Sequence, residues 1–477
     1  MAATIAAIRA SILPVIENSS SIQMIMKRII ASFLTILLFV SPALAQTSHG
    51  EKSDSTKFPF SIKALAFRGS YLDSNTHFDK FQPFHPAGVH LGLELPSLQQ
   101  RPWQEYLGNP TIGVGLSWLD FGHDMVGMSI AAYPYILLDA INTDFMNVRL
   151  KLAGGLAYVT EHWYTQEDTD PDHYYEPTVN TIFGCPINVY LNAGVNMNFP
   201  VSEYLSLSGE FGYFHISNGR TNMPNIGMNS IYGSVGLTTN INTDVRKAPV
   251  DFPDLPYDWS INITGAAGAH KSAIADPGRF LISSLHAGAV YSVNNWYGLG
   301  FGVDVFYNDA VTKNTRRDLY CSGQYDIDGM VVDCTTCGQD KGEDYKLKHK
   351  VRAGVAMNNE FRFGVVTAIV DWGVYFYNPS RNIYYDYHKA HYGEVAPKRP
   401  LFYDSTGAGG EEAFHYIRFG LKYRVLDNLY LHTSAKTHLH ICEYIEFGVG
   451  YQIPFLKKSN RTESDGKIFH YRRNWWK

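Results

Sequence analysis

Past residue 45 the chain has no apolar run near the roughly 20 residues that a membrane-spanning helix requires. A protein crossing a bilayer by helices is thereby excluded for the mature segment. Cysteine is scarce, with five in 477 residues. Cys321, Cys334 and Cys337 share one long loop, 312–344. Three thiolates are too few for a closed zinc site, and no βαβ pattern surrounds Cys334-Thr335-Thr336-Cys337 to make it a redox centre. A loop disulfide from Cys321 to Cys334 or Cys337 is expected in an exported chain. Cys185 and Cys442 are expected to be unpaired. Excess charge of either sign is also missing: 40 basic and 45 acidic residues give −5, which argues against a nucleic-acid partner.

The chain does carry an export leader. Met26-Lys27-Arg28 opens a basic region, Ile29–Val40 is predominantly apolar, and Ala43-Leu44-Ala45 is a small-x-small cleavage pattern that puts Gln46 at the mature start. Residues 1–23 read as an upstream extension. No cysteine follows the cleavage site, so no N-terminal lipid anchor is expected. Aromatic residues make up 14% of the chain, with 32 Tyr and 27 Phe, beside 41 Gly. Together with alternating segments of roughly ten residues, this composition marks a transmembrane antiparallel β-barrel with aromatic girdles. It also places the protein in a bacterial outer membrane.

Alternation and turn residues predict eight strands near 60–72, 85–98, 111–122, 125–141, 145–163, 188–201, 204–217 and 229–241. A proline-rich connection, 243–257, follows. Eight more strands are predicted near 258–273, 280–294, 297–311, 346–363, 364–379, 414–427, 429–442 and 443–455, then a basic aromatic tail, 457–477. The halves echo each other: Val201–Leu207 resembles Leu426–Leu431, and Gly233–Leu237 resembles Gly448–Gln452. The expected fold is all-β, either two eight-stranded barrel units (46–242 and 258–456) or one fused larger barrel. If the first strand runs outward, the seventh ends at the cell surface and 219–228 is a surface loop.

In the seventh strand, Leu205, Leu207, Gly209, Phe211 and Tyr213 occupy one face, while Ser206, Ser208 and Glu210 occupy the other. His215 and Ser217 continue the apolar face, which puts a base and a hydroxyl at the outer leaflet. A serine hydroxyl needs a base to become a nucleophile, a third group to orient the imidazole and nearby donors for an oxyanion. Ser217 and His215 are the candidate nucleophile and base. Asn229, returning on the antiparallel eighth strand, is the candidate third member. Asn218 and Gly219 stand where oxyanion donors are needed.

His215-Ile216-Ser217-Asn218-Gly219, followed by Pro224-Asn225-Ile226-Gly227, resembles the signature of the outer-membrane lipid A deacylase (acyloxyacyl hydrolase) family. The resemblance implies an eight-stranded barrel that removes an ester-linked acyl chain from the lipid A of lipopolysaccharide without a cofactor. It implies a Ser-His-Glu triad facing the membrane, with Ser217 as nucleophile and His215 as base. Asn229 stands where that family has glutamate, a departure that weakens stabilisation of the imidazolium. His215–Arg220 with Asn229 is also similar to the active-site stretch of outer-membrane phospholipase A. That resemblance implies a Ser-His-Asn triad acting on phospholipid, with calcium and a dimer. A non-catalytic structural or porin-like barrel is the alternative from another class.

The second half has no outward His-Ser pair. In 429–442 its His432, Lys436, His438, His440 and Cys442 are expected to point into the barrel, as polar lining rather than metal ligands. The acidic run Glu167-Asp168-Thr169-Asp170-Pro171-Asp172 could bridge calcium to lipid phosphates, but reads first as a solvated loop.

Overall fold

A computed structural model describes residues 59–72, 85–97, 101–166, 180–241, 258–271, 278–310, 347–379, 413–438 and 441–455. The expected leader at 26–45, the acidic run 167–172, the connection 243–257, the loop carrying Cys321, Cys334 and Cys337, His440 and the tail 457–477 lie outside these residues.

Eight strands form a first closed antiparallel barrel: β1 (Phe60–Tyr71), β2 (Ala87–Pro96), β3 (Thr111–Asp120), β4 (Met128–Asn142), β5 (Asn147–Val159), β6 (Ile187–Ser202), β7 (Leu205–Ser217) and β8 (Met228–Ile241), with β8 closing on β1. Eight more form a second: β9 (Trp259–His270), β10 (Phe280–Ser292), β11 (Tyr297–Asn308), β12 (Val351–Phe363), β13 (Val366–Tyr377), β14 (His415–Arg424), β15 (Leu429–His438) and β16 (Ile441–Phe455), with β16 closing on β9. The fused larger barrel is thus ruled out by the pairing. Short helices, α1 (Pro102–Tyr106) and α2 (Leu347–Lys350), lie between strands. None of the described helices is long and apolar enough to cross a membrane.

Period-two patterning accounts for these strands. In β3, Thr111, Gly113, Gly115, Ser117 and Leu119 are buried, while Ile112 and Val114 between them are exposed. Across both barrels the outer face is apolar, the reverse of the surface of a water-soluble protein. Leu152, Leu156, Val235 and Leu237 are exposed on the first barrel, and Phe301, Val303, Phe447 and Val449 on the second. Such a surface suits lipid, not water. The connections at 143–146 and 203–204 are short, whereas those at 160–186 and 218–227 at the opposite end are long. Outer-membrane barrels keep the short turns in the periplasm, so the long loops face the cell exterior.

An eight-stranded barrel is narrow enough for side chains to fill it, and both are filled. The outer half of the first barrel is aromatic, with Phe67 stacked on His90 (4.4 Å between ring centroids), Tyr133 stacked on Tyr190 (4.8 Å), and Phe214 and Tyr232 alongside. Glycine makes room for it: a Cβ on Gly115 would fall 2.3 Å from the Tyr133 ring. The inner half is polar, with Lys63 paired to Glu94 and Lys151 to Glu210 at 2.7 Å. The second barrel holds more charge. Asp304 receives Arg418 (2.8 Å), His286 (2.8 Å) and the Tyr416 hydroxyl (2.6 Å). Glu443 receives Arg352, Lys436 (2.5 Å) and His438 (2.8 Å). Buried charges persist only when paired in this way.

His432, Lys436 and His438 point inward as expected, and all are buried. Cys442 does not join them. The β15–β16 register shifts after Lys436, so that Cys442 pairs with Thr437 and Tyr444 with Lys436. The extra residue, Glu443, turns inward beside Tyr444, and this bulge reverses the facing of everything before it. Cys442 therefore faces the first barrel.

If the outer surface meets lipid, Leu152→Arg at mid-strand in β5 should destabilise the folded barrel by about 2–4 kcal/mol, read from denaturant titration in phospholipid vesicles. A neutral result would place that face away from the bilayer.

Candidate active site

Core packing decides which way the end of β7 faces. Phe214 and Ile216 are fully buried in the aromatic half of the first barrel, as is Met228 at the start of β8. Alternation then sends Tyr213, His215 and Ser217 to the outer surface as a column. A one-residue slip would exchange all of them with the core set. The antiparallel register places His215 directly opposite Asn229, and Ile216 opposite Met228, so His215 and Asn229 share the outer face as a cross-strand pair.

The side chains close into a chain of hydrogen bonds. Ser217 Oγ lies 2.7 Å from His215 Nε2, and His215 Nδ1 lies 2.7 Å from Asn229 Oδ1. The Tyr213 hydroxyl donates to the same Oδ1 at 2.6 Å. A carbonyl oxygen only accepts, so Nδ1 carries the imidazole proton and Nε2 is left to take the proton of Ser217. Ser217 is 9% exposed. This arrangement can perform base-assisted nucleophilic attack.

Beyond Ser217 the chain turns sharply, with Gly219 at φ 60° and Arg220 at φ 62°. Asn218 organises the turn: its N–H donates to Asn225 Oδ1 (3.0 Å), and its carbonyl accepts the Thr221 hydroxyl (3.0 Å). Gly227, at φ 75°, lies beneath the reactive pair, where an added Cβ would sit 3.0 Å from Ser217 Cβ and 3.4 Å from His215 Cε1. The Pro224-Asn225-Ile226-Gly227 segment thus has two physical tasks: Asn225 ties down the turn, and Gly227 leaves room for Ser217 and His215.

Ser217, His215 and Asn229 are brought together, and Asn218 and Gly219 are placed at the turn beside them. Tyr213 was missed by sequence reasoning, although period two already put it in the same column as His215. The contacts of Asn225, seven residues from Asn218, depend on the loop path and had no local signal. Among the described residues no group of three or more His, Cys, Asp or Glu could hold a metal ion, and the acidic run considered for calcium is not among them. In β15 the outward column is Leu431, Thr433, Ala435 and Thr437, without a His-Ser pair.

Comparison with known proteins agrees with the two-barrel division. The Lipid A 3-O-deacylase (PagL) family model matches residues 87–238, and the model for the C-terminal domain of acyloxyacyl hydrolase matches 259–396 and 401–456. No curated protein matches the chain. Among solved structures, the outer membrane enzyme PagL is 15% identical, covering 38% of this chain and 98% of that one, with a TM-score of 0.23. The NanC porin is 7% identical over 82% of this chain and 98% of that one, with a TM-score of 0.14. The FrpB iron transporter from Neisseria meningitidis is 9% identical over 83% and 69%, with a TM-score of 0.18. The two family models between them span both barrels, and the chain belongs to the PagL family of outer-membrane lipid A deacylases, which are ester hydrolases.

Proposed function

We propose that the protein removes an ester-linked acyl chain from lipid A by a serine mechanism with Ser217 as nucleophile, His215 as general base and Asn229 as the group that orients the imidazole. The observation that supports this most is the unbroken hydrogen-bond chain from Ser217 through His215 to Asn229 on the lipid-facing wall. Ser217 Oγ attacks the ester carbonyl as its proton passes to His215 Nε2. The oxyanion is stabilised at the Asn218–Gly219 turn. The alkoxide of the sugar leaves with the proton returned by Nε2, and water then hydrolyses the acyl-serine by the same route. Only these side chains and water enter the steps. The family's description, Lipid A 3-O-deacylase, supports the 3-O ester of lipid A as the bond that is cut.

Asn229 is a neutral substitute for a carboxylate. It holds the productive tautomer by accepting from Nδ1, and the Tyr213 hydroxyl on the same oxygen keeps the amide from flipping. Its lack of charge gives the imidazolium less stabilisation than glutamate would. The same amide favours a second reading, a phospholipase A acting through a Ser-His-Asn triad.

Ser217→Ala should lower fatty-acid release from lipopolysaccharide by at least about 10³-fold while leaving the folded barrel intact. Retained release would rule out this site. Lipid mass spectrometry separates the substrates: lipid A short of one acyl chain supports deacylation, whereas lysophospholipid supports the second reading. Asn229→Leu should cost about 10–10³-fold in kcat by freeing the imidazole tautomer. Tyr213→Phe should cost only about 5–10-fold, as expected from losing one hydrogen bond worth about 1 kcal/mol. Equal losses for the two variants would contradict the separate roles given to them.

A further inference from the structure

We propose that the second barrel supplies positioning residues for the active site of the first, by clamping the turn that follows Ser217. This inference rests on the reading of Ser217, His215 and Asn229 as the catalytic set. Gly219 and Arg220 both hold positive φ, a conformation that a non-glycine residue such as Arg220 keeps only when its surroundings enforce it. The enforcement comes from the outer rim of the second barrel. The main-chain N–H of Lys271, at the end of β9, donates to the Arg220 carbonyl at 3.0 Å. Ile445 and Cys442 of β16 close over Gly219: an added Cβ there would meet Ile445 Cδ1 at 2.6 Å and Cys442 Sγ at 3.3 Å. Arg279, just before β10, donates to Asn222 Oδ1 at 3.2 Å. The Lys271 ammonium also reaches the Tyr164 hydroxyl of the first barrel at 3.1 Å.

These contacts come from one seam, since β16, β9 and β10 are consecutive neighbours in the second barrel. Apart from the bond to Tyr164 they fall on one short stretch, residues 219–222, and Asn218 just before it is tied by Asn225. The turn is therefore held between the two barrels. A further set of contacts at the periplasmic end, Trp103 edge-on to Phe363 (5.5 Å) and Tyr106 against Trp296 (6.1 Å), keeps the barrels from rocking about the clamp. Oxyanion donors act only when fixed at the place where charge develops. A turn free to drift by an ångström would lose that alignment while still admitting substrate. The clamp also gives the second barrel, whose β15 has no outward His-Ser pair, a reason to persist: its contribution is rim geometry.

The test compares Lys271→Pro with Lys271→Ala in the full-length protein, because both lose the side chain and only proline loses the N–H. With lipopolysaccharide as substrate, Lys271→Pro should show kcat about tenfold or more below Lys271→Ala, with KM within about twofold. Fluorophosphonate labelling of Ser217 should slow in parallel, and heat-modifiable electrophoretic mobility should stay that of a folded barrel. Ile445→Ala combined with Arg279→Ala should give the same kcat-selective loss, partly rescued by Arg279→Lys in the Ile445→Ala background. If Lys271→Pro does not fold, the double variant decides alone, and a parent-like kcat there overturns the clamp. Parent-like kcat in all of these variants beside an inactive Ser217→Ala removes the clamp and keeps the triad. An active Ser217→Ala overturns both.

Discussion

The pairing of β7 with β8 is the contact that holds the candidate site together. It sets His215 opposite Asn229, while the fully buried Phe214, Ile216 and Met228 make any other register costly. Once that register holds, four polar groups meet on a wall otherwise made of apolar ones. In hydrocarbon each would be expensive alone. Joined by bonds of 2.6–2.7 Å, the Tyr213, Asn229, His215 and Ser217 groups satisfy one another. The same bonds that let them exist there set the tautomer and aim the serine proton, so the contacts that satisfy these groups are also the ones the proposed attack requires.

The two barrels meet the same geometric demand with different interiors. The first divides its lumen into an aromatic outer half behind the proposed active site and a polar inner half around Lys151 and Glu210. Rigid ring packing under β7 gives the outward column a firm base. The second spends its interior on ion clusters around Asp304, Glu360 and Glu443. Its β16 bulge at Glu443 serves both faces at once: it brings a carboxylate in to Arg352, Lys436 and His438, and it turns Cys442 out toward Gly219. A local register defect thus links the buried charge network to the surface that touches the turn after Ser217.

Much of this was legible along the chain because a strand's facing repeats every two residues. Sixteen strands, the outward facing of His215 and Ser217, the return of Asn229 and the inward facing of His432 and His438 all follow from that period. Cys442 was misplaced because a bulge inserts one residue without a composition signal and inverts parity from there on. Tyr213 obeyed the period yet looked like ordinary girdle aromatic, since nothing local marks its hydroxyl as aimed at an amide.

The strands, their faces and the chemistry available on them could be read along the chain, because alternation and residue type are local properties. Closure into two barrels rather than one depended on whether β8 pairs with β1, a contact between residues about 160–180 positions apart whose outcome no short window records. The bond from Ser217 to Asn229 through His215, the tie of Asn225 to Asn218 and the seat of Gly219 against Ile445 likewise exist only once distant segments are brought together. Tertiary structure decided these because each depends on a distance between side chains, and the chain order constrains such distances only through the fold.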